Sequence, residues 1–450
     1  MAFSNKEMKE ATQIAYLSIL EKASANLEAE GKKPPYSLEE MILSVIDVDA
    51  AKERFAKQTG EDPSKAGIKD LVQFSDLKES DWLRITNFED EIFNWKILDV
   101  HNMNPENGFY ACTIAKSDSE AIVAFRGSEN MHNFHNLVQD WMKADFGLLN
   151  SEKTEQQEEA EKYADELIQK GILDGYSNIG VTGHSLGGNL ASHFTIACAQ
   201  NGREELFDRI TQCDNLDGPG FSEKYLLANQ EAVAKAEGKI THYKWSAIGN
   251  LLNNLPNEKE EFLAINNNKF NNNPIAKIRY LGIRRHDTQS LQFDEEGNAK
   301  RGKQDFMSKA LGDISRKADK YLPVMVITTV INAAHKALSK FMTTNENGNI
   351  VFKNPFRSEK EGEEPSFFSK VKQLAVGAFD IVKDGVRNLA DALERGTLVP
   401  TAPAFASAKT MVANDTSIRT EGLNNFIEEV SKDMKSRDES TKQFSDNKEI

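Results

Sequence analysis

The sequence predicts an α/β protein with a helical C-terminal region. Three observations carry that reading. Short β-branched and aromatic runs alternate with helical periods between residues 91 and 299; a glycine-flanked serine joins one of those runs to a helix; and strand-like runs almost vanish after residue 300. Length and charge agree. The chain has 450 residues, 39% hydrophobic and 28% charged, values of a folded globular chain rather than a disordered or membrane-spanning one. Its formal charge is −15, yet residues 301–450 hold 23 Lys+Arg against 21 Asp+Glu, so the first 300 residues carry −17. A segment so acidic is repelled by phosphate backbones, and no basic face offsets it, so nucleic-acid binding is not expected. Both shifts place a boundary near residue 300, in DEEGNAKRGKQD. The expected domains are a helical segment over 1–90 packed on the core, a catalytic core over 91–299 and a helical region over 300–450.

In chain order, Ile14, Leu17, Leu20, Ala23 and Leu27 recur at helical spacing, with Gly31 as the stop. One helix is expected from Ala11 to Leu27. After Pro34-Pro35, Ser37 with Glu40 three residues on is a capping box for the next helix. From Ile92 the period shifts toward two. IFNWKILDV, GFYACTIA and EAIVAF read as consecutive strands, the first pair parted by the turn residues Asn104-Pro105-Glu106-Asn107. A charged helix over Thr154–Lys170 precedes a strand over Asn178–Thr182. Next come a helix over Leu186–Gln200 and strands over Arg209–Leu216, Ile240–Trp245 and Ala276–Ile283. Such alternation implies a mostly parallel sheet flanked by helices. The Asn-rich Ile265–Pro274 reads as a surface loop, or as a flap beside a site. Beyond 300, Tyr321–Phe341 and the stripe from Phe367 to Leu389 read as long helices.

Several classes are disfavoured. Cys112, Cys198 and Cys213 form an odd set with no C-x-x-C pair, against a disulfide framework or a thiolate zinc site. The N-terminus has no apolar h-region of a secretory signal. The longest apolar run, Leu322–Ile331, is about half the length of a bilayer span, so no transmembrane segment is expected. A cytoplasmic protein, or one exported without a cleaved leader, fits.

The segment with chemistry in it is NIGVTGHSLGGNLASHFTIACA. Within it Gly183-His184-Ser185-Leu186-Gly187 matches G-x-S-x-G. A serine hydroxyl is a poor nucleophile until it is exposed to a base at a sharp strand-to-helix turn, and glycines two residues either side relieve the crowding there. The helix start then aims N–H groups, chiefly that of Leu186, at a developing oxyanion. An ordinary strand-to-helix turn with a buried serine is the bland alternative. The strand Ala121–Phe125, ending in Arg126-Gly127-Ser128, lies upstream; Ser128 is the candidate second oxyanion donor, or else a turn residue.

In this fold class the triad order is serine, acid, histidine. His101, His132, His135 and His184 precede the serine, His193 sits on its helix, His242 within a strand and His335 on a C-terminal helix. That leaves His286, in a loop past a strand, as the base, with His242 as runner-up. For the acid, the turn after Trp245 reads Ser246-Ala247-Ile248-Gly249 and holds no carboxylate. One strand earlier, Asp217 opens the turn Asp-Gly-Pro-Gly, while Asp214 lies nearer mid-strand and Asp287 is too close in sequence to His286. Asp217 is the expected acid; an aspartate capping its own turn is the alternative.

VAFRGS, Asp140-Trp141 and TGHSLGGNLA resemble the class 3 lipase branch of the α/β-hydrolases; NLDGPGF, SAIGNLL and the HD pair resemble a bacterial lipase-like subfamily within it. The resemblance spans about residues 90–290. It implies an α/β-hydrolase fold and cleavage of lipid acyl esters without a metal. The sequence departs from the family at Ser246, where class 3 lipases carry the acid. A leaderless lipase followed by a long helical region is also similar to lipase toxins exported by the type VII system of Gram-positive bacteria. Those resemble phospholipases A, and their helical portion pairs with small helical partner proteins. The same triad would equally serve a soluble esterase, thioesterase or peptidase, and a non-catalytic interaction protein on the same scaffold is a third reading.

Overall fold

The computed structural model of the protein describes residues 3–127, 153–200, 202–246, 248–265 and 286–304, positions 309, 312, 315 and 316, and residues 342–344 and 350–352. The chain divides into two compact units, Met1–Met131 with Ser151–Lys309, and His132–Asn150 with Ala310–Ile450. In the second unit, strands Met342–Thr344 and Ile350–Phe352 pair antiparallel. The predicted strand Ala276–Ile283, the rest of the Asn-rich stretch after Ile265 and both predicted C-terminal helices lie outside the described residues.

The first unit opens with helices α1 (Asn5–Ala15), α2 (Leu20–Ala29), α3 (Leu38–Leu43), α4 (Val48–Thr59), α5 (Ile68–Gln73) and α6 (Glu79–Thr86). Ser37 and Glu40 form the predicted capping box at α3. The helical period through Ala11–Leu27 does not yield one helix. It breaks at residues 16–19, where Ser18 donates its N–H (2.9 Å) and its hydroxyl (2.7 Å) to the buried carboxylate of Asp81. A charge-assisted tertiary pair outbids continued helix there.

Strands β1 (Tyr36–Ser37), β2 (Lys96–Met103), β3 (Phe109–Ala115), β4 (Glu120–Phe125), β5 (Asn178–His184), β6 (Ile210–Leu216), β7 (Ile240–Lys244) and β8 (Lys259–Phe262) form one eight-stranded sheet in sequential order. β1 to β4 pair antiparallel and β4 to β8 parallel. The fold is α/β, a mixed sheet flanked by helices.

Alternation along the strands sorts side chains to two cores. On β4, Ala121, Val123 and Phe125 join one cluster with Tyr163, Leu167, Leu190 and Phe194 from the later helices. Ile122 and Ala124 join the other, with Met8, Ile14 and Leu20 from the N-terminal helices and Leu17 from the break between them. The first ninety residues thus supply the helical layer of one sheet face. Close approach is allowed by Gly180 in β5, where a Cβ would sit 3.0 Å from the Phe3 ring and 3.1 Å from Met8 Sδ.

Asp214 in β6 belongs to this junction. Its fully buried carboxylate accepts from Asn5 Nδ2 at 3.2 Å and Gln212 Nε2 at 3.0 Å. Burial pushes its pKa up to about 6, against those two hydrogen bonds, which pull it down. A raised carboxylate pKa penalises the charged form on folding. The Asp214 contribution to stability is therefore fullest below the ordinary carboxylate value and is lost as pH rises through about 6. Asp214→Asn, which cannot ionise, is expected to match the wild type near pH 4 and to exceed its unfolding free energy at pH 8 by about 2–3 kcal/mol. Urea titrations at the two pH values test this; an equal gap at both would rule out the buried charge as the cause.

Candidate functional site

Four parallel strands stop at one edge of the sheet, and the residues just past their ends make the site. Gly127 follows β4, Ser185 follows β5, Asp217 follows β6, and Trp245 with Ser246 follow β7. Ligands of open parallel sheets gather at this carboxyl edge because the chain turns away there into loops and helix starts.

Ser185 sits between β5 and the helix Leu186–Cys198 with φ 59° and ψ −134°. Few non-glycine residues adopt positive φ, and the strain is worth about 1–3 kcal/mol. The turn is tight enough that a Cβ at Gly183 would lie 2.1 Å from Gly187 O, and one at Gly187 2.3 Å from Phe125 O. Ser185 N–H donates to Leu216 O at 3.0 Å, which ties the bend to β6. Leu186 opens the helix, so by position its N–H is among the donors without an intrahelical acceptor. Ser128 lies outside the described residues. Its neighbour Gly127 does not, and a Cβ there would lie 3.0 Å from Ser185 Cβ, so the end of β4 abuts the serine.

Asp217 and His286, sixty-nine residues apart, meet at 2.6 Å between Oδ2 and Nδ1, and both are fully buried. Asp217, also at positive φ (53°), has its other oxygen capped by the N–H groups of Trp245 (2.9 Å) and Ser246 (3.0 Å). The Ser246 hydroxyl stands 3.3 Å from the same Nδ1. The Ser-x-Ile-Gly turn that holds no carboxylate thus serves the carboxylate of the preceding strand, and Gly249 leaves it room: a Cβ there would be 2.3 Å from Asp217 Oδ1. With its Nδ1 proton given to Asp217, His286 presents a bare Nε2, buried and without a hydrogen-bond partner among the described residues. Its ring lies 4.3 Å from that of His184, the residue before the serine.

The other candidates have separate places. Asp214 is bonded to Asn5 and Gln212. Asp287 caps the short turn after it, accepting from Gln289 N–H at 2.9 Å. His242, the runner-up base, bonds Gly218 O through Nε2 at 2.7 Å and pairs with Glu258 through Nδ1. Burial pushes the Glu258 pKa up, but His242 and Lys244 outweigh it and hold the group below its ordinary value. His193 bonds the Tyr225 hydroxyl at 2.6 Å, and His101 bonds Glu159 at 3.1 Å. His132, His135 and His335 lie outside the described residues. Among the described residues no cluster of three or more His, Cys, Asp or Glu is arranged to hold a metal, and no helix is long and apolar enough to cross a membrane.

A family model described as Mbeg1-like matches residues 89–323, just over half the chain. The chain belongs to the Mbeg1-like family. That match takes in every element of the carboxyl-edge site and leaves out the N-terminal helices. Among solved structures, the chain is similar to the crystal structure of M37 lipase, at 15% identity and a TM-score of 0.30, covering 54% of this chain and 68% of that one. No curated protein matches.

The strain at Ser185 yields a stability test. Glycine accepts this backbone freely, so Ser185→Gly is expected to gain about 1 kcal/mol in unfolding free energy, the relieved strain less the entropy of an added glycine. A variant no more stable than wild type in urea would show the bend to be unstrained.

Proposed function

We propose that this Mbeg1-like chain is a serine hydrolase of the α/β-hydrolase fold that cleaves acyl esters of lipids, with Ser185 as nucleophile, His286 as base and Asp217 as the acid orienting it. One observation carries the reading: a buried carboxylate–imidazole hydrogen bond of 2.6 Å leaves Nε2 without a partner among the described residues, at the sheet edge where a serine occupies a strained strand-to-helix bend. A neutral imidazole whose Nδ1 proton is fixed can accept only at Nε2, the role of a general base.

In the reaction, Nε2 takes the Ser185 proton as Oγ attacks the ester carbonyl. Negative charge collects on the carbonyl oxygen, where Leu186 N–H and a donor from the loop after β4, Ser128, stabilise it. The imidazolium, held by Asp217, returns its proton to the leaving alcohol. Water, deprotonated by the same nitrogen, then frees the acid from the acyl-enzyme. Burial of Ser185 and His286 keeps bulk water from screening these charges.

The lipid assignment, of lipase or phospholipase A type, rests on the resemblance of VAFRGS, TGHSLGGNLA and NLDGPGF to class 3 lipases. The charge of −17 on residues 1–300 favours neutral or zwitterionic lipid over anionic surfaces, and it equally suits a soluble carboxylester or thioester. Residues 300–450 are proposed to pair with small helical proteins, and export from the cell is proposed with them, on the resemblance in layout to exported lipase toxins.

Purified wild type is expected to release fatty acid from phosphatidylcholine or triacylglycerol, and Ser185→Ala to lose at least about 10³-fold of the rate, the scale of losing a covalent nucleophile. Asp217→Asn should lose at least about 10²-fold by fixing the wrong tautomer. Equal release from wild type and Ser185→Ala would end this reading. Activity confined to short soluble esters would keep the triad and replace the lipid.

A further inference from the structure

The helix layer outside the matched family region reaches the serine bend through Tyr16. Its hydroxyl accepts the N–H of Gly127 at 3.0 Å, at the end of the strand that abuts Ser185. The same hydroxyl lies 3.4 Å from His184 Nδ1 and 3.5 Å from His184 O. On its far side, His184 Nε2 lies 2.7 Å from the backbone carbonyl of His286. A carbonyl only accepts, so Nε2 carries the His184 proton and Nδ1 is left as an acceptor for the tyrosine. Burial first, and the neighbouring His286 second, hold the His184 pKa well below its ordinary value, which favours the neutral ring. The bonds then run in one direction: Gly127 N–H to Tyr16 oxygen, Tyr16 O–H to His184 Nδ1, His184 Nε2–H to His286 carbonyl. Stacking of the His184 ring on Trp245, centroids 5.9 Å apart and planes within 7°, holds the middle of the chain.

We propose that Tyr16 and His184 are positioning residues that tie the end of the oxyanion strand at Gly127 to the backbone of the base His286, so that both are held in one arrangement around Ser185. The inference rests on the serine-hydrolase reading of that site. Neither residue touches the reacting atoms. Tyr16 holds Gly127 at the end of β4, and His184 holds the backbone of His286, which fixes the depth at which the imidazole stands. A second contact from the same layer, Gln13 Nε2 to Thr288 Oγ1 at 2.8 Å, braces the loop after His286. This gives the N-terminal layer a catalytic consequence that sheet coverage alone does not require.

Tyr16→Phe removes only the hydroxyl. With a short-chain nitrophenyl ester as substrate, kcat is expected to fall about 10- to 100-fold with KM within about twofold, because ester binding survives and alignment in the transition state does not. His184→Gln keeps a donor near the Nε2 position and removes the Nδ1 acceptor; it should give the same split. The double variant should be no slower than the slower single one, since both cut one chain of bonds. If Tyr16→Phe fails to fold by circular dichroism, His184→Gln alone carries the test. Unchanged kcat in a folded Tyr16→Phe or His184→Gln, or losses that multiply in the double variant, would overturn the proposal. Labelling of wild type by a fluorophosphonate, abolished in Ser185→Ala, separates the two levels: without it the hydrolase reading itself fails, and with it a failed Tyr16 test counts against the positioning role only.

Discussion

A carboxylate buried to zero exposure must find partners for both oxygens or cost several kcal/mol, and the way Asp217 meets that demand organises the whole edge of the sheet. One oxygen takes the imidazole of His286, which pins a loop from far along the chain; the other takes two consecutive N–H groups at the end of β7. Those partners converge only if β6 and β7 are parallel neighbours that end level with each other. The register does this: Leu216 pairs with Tyr243, and Asp217 N–H donates to Tyr243 O at 2.7 Å. The serine bend is tied to the same point through Leu216 O. Sheet register, Asp217, His286 and the bend at Ser185 are therefore one constraint.

That the turn after β7 holds Ser246 and no carboxylate has its explanation in that constraint. A side-chain carboxylate after β7 and one after β6 would be two charges competing for one imidazole. With the charge on Asp217, the later turn is left to supply donors, and donors near a carboxylate are best given by backbone N–H groups, which cost no side-chain entropy to hold. Ser246 adds a hydroxyl that accepts from Ile248 N–H at 3.1 Å and sits near Nδ1 without displacing Asp217.

Much of this could be read from residues alone, and the remainder divides by physical cause. β3 and β4 announce themselves because each is buried on both faces and so reads as an apolar run, and β5 to β7 by their place in the alternation of strands with helices. β8, Lys-Glu-Glu-Phe, does not: it is a short edge strand whose side chains are mostly charged, and its pairing with β7 follows from backbone register alone. The break after α1 is invisible because residues 16–19 keep the helical period, and the residue that breaks it, Asp81, is sixty-three positions away. Ser185, His286 and Asp217 were legible because turn chemistry marks them, through flanking glycines, a loop position and an Asp-Gly-Pro-Gly turn. The donors at Trp245 and Ser246 were not, since a backbone N–H leaves no trace in a side-chain pattern. Tyr16 was hidden for another reason: on a helical period with apolar neighbours, a tyrosine reads as core until its hydroxyl is seen to have partners.

Tyr16 also bears on how a helical layer and the carboxyl edge of a sheet can be one object. A layer that only covered apolar strands could slide by an ångström at little cost, since hydrophobic contact is non-directional. Hydrogen bonds are directional, and α1 makes them at both ends: Asn5 to Asp214 and to Ala299 N–H at its start, Gln13 and Tyr16 to the site loops at its finish. Packing brings the layer to the sheet, and these few polar contacts choose its register. Because the same contacts hold Gly127 and Thr288, the register of the layer and the geometry around Ser185 cannot vary independently.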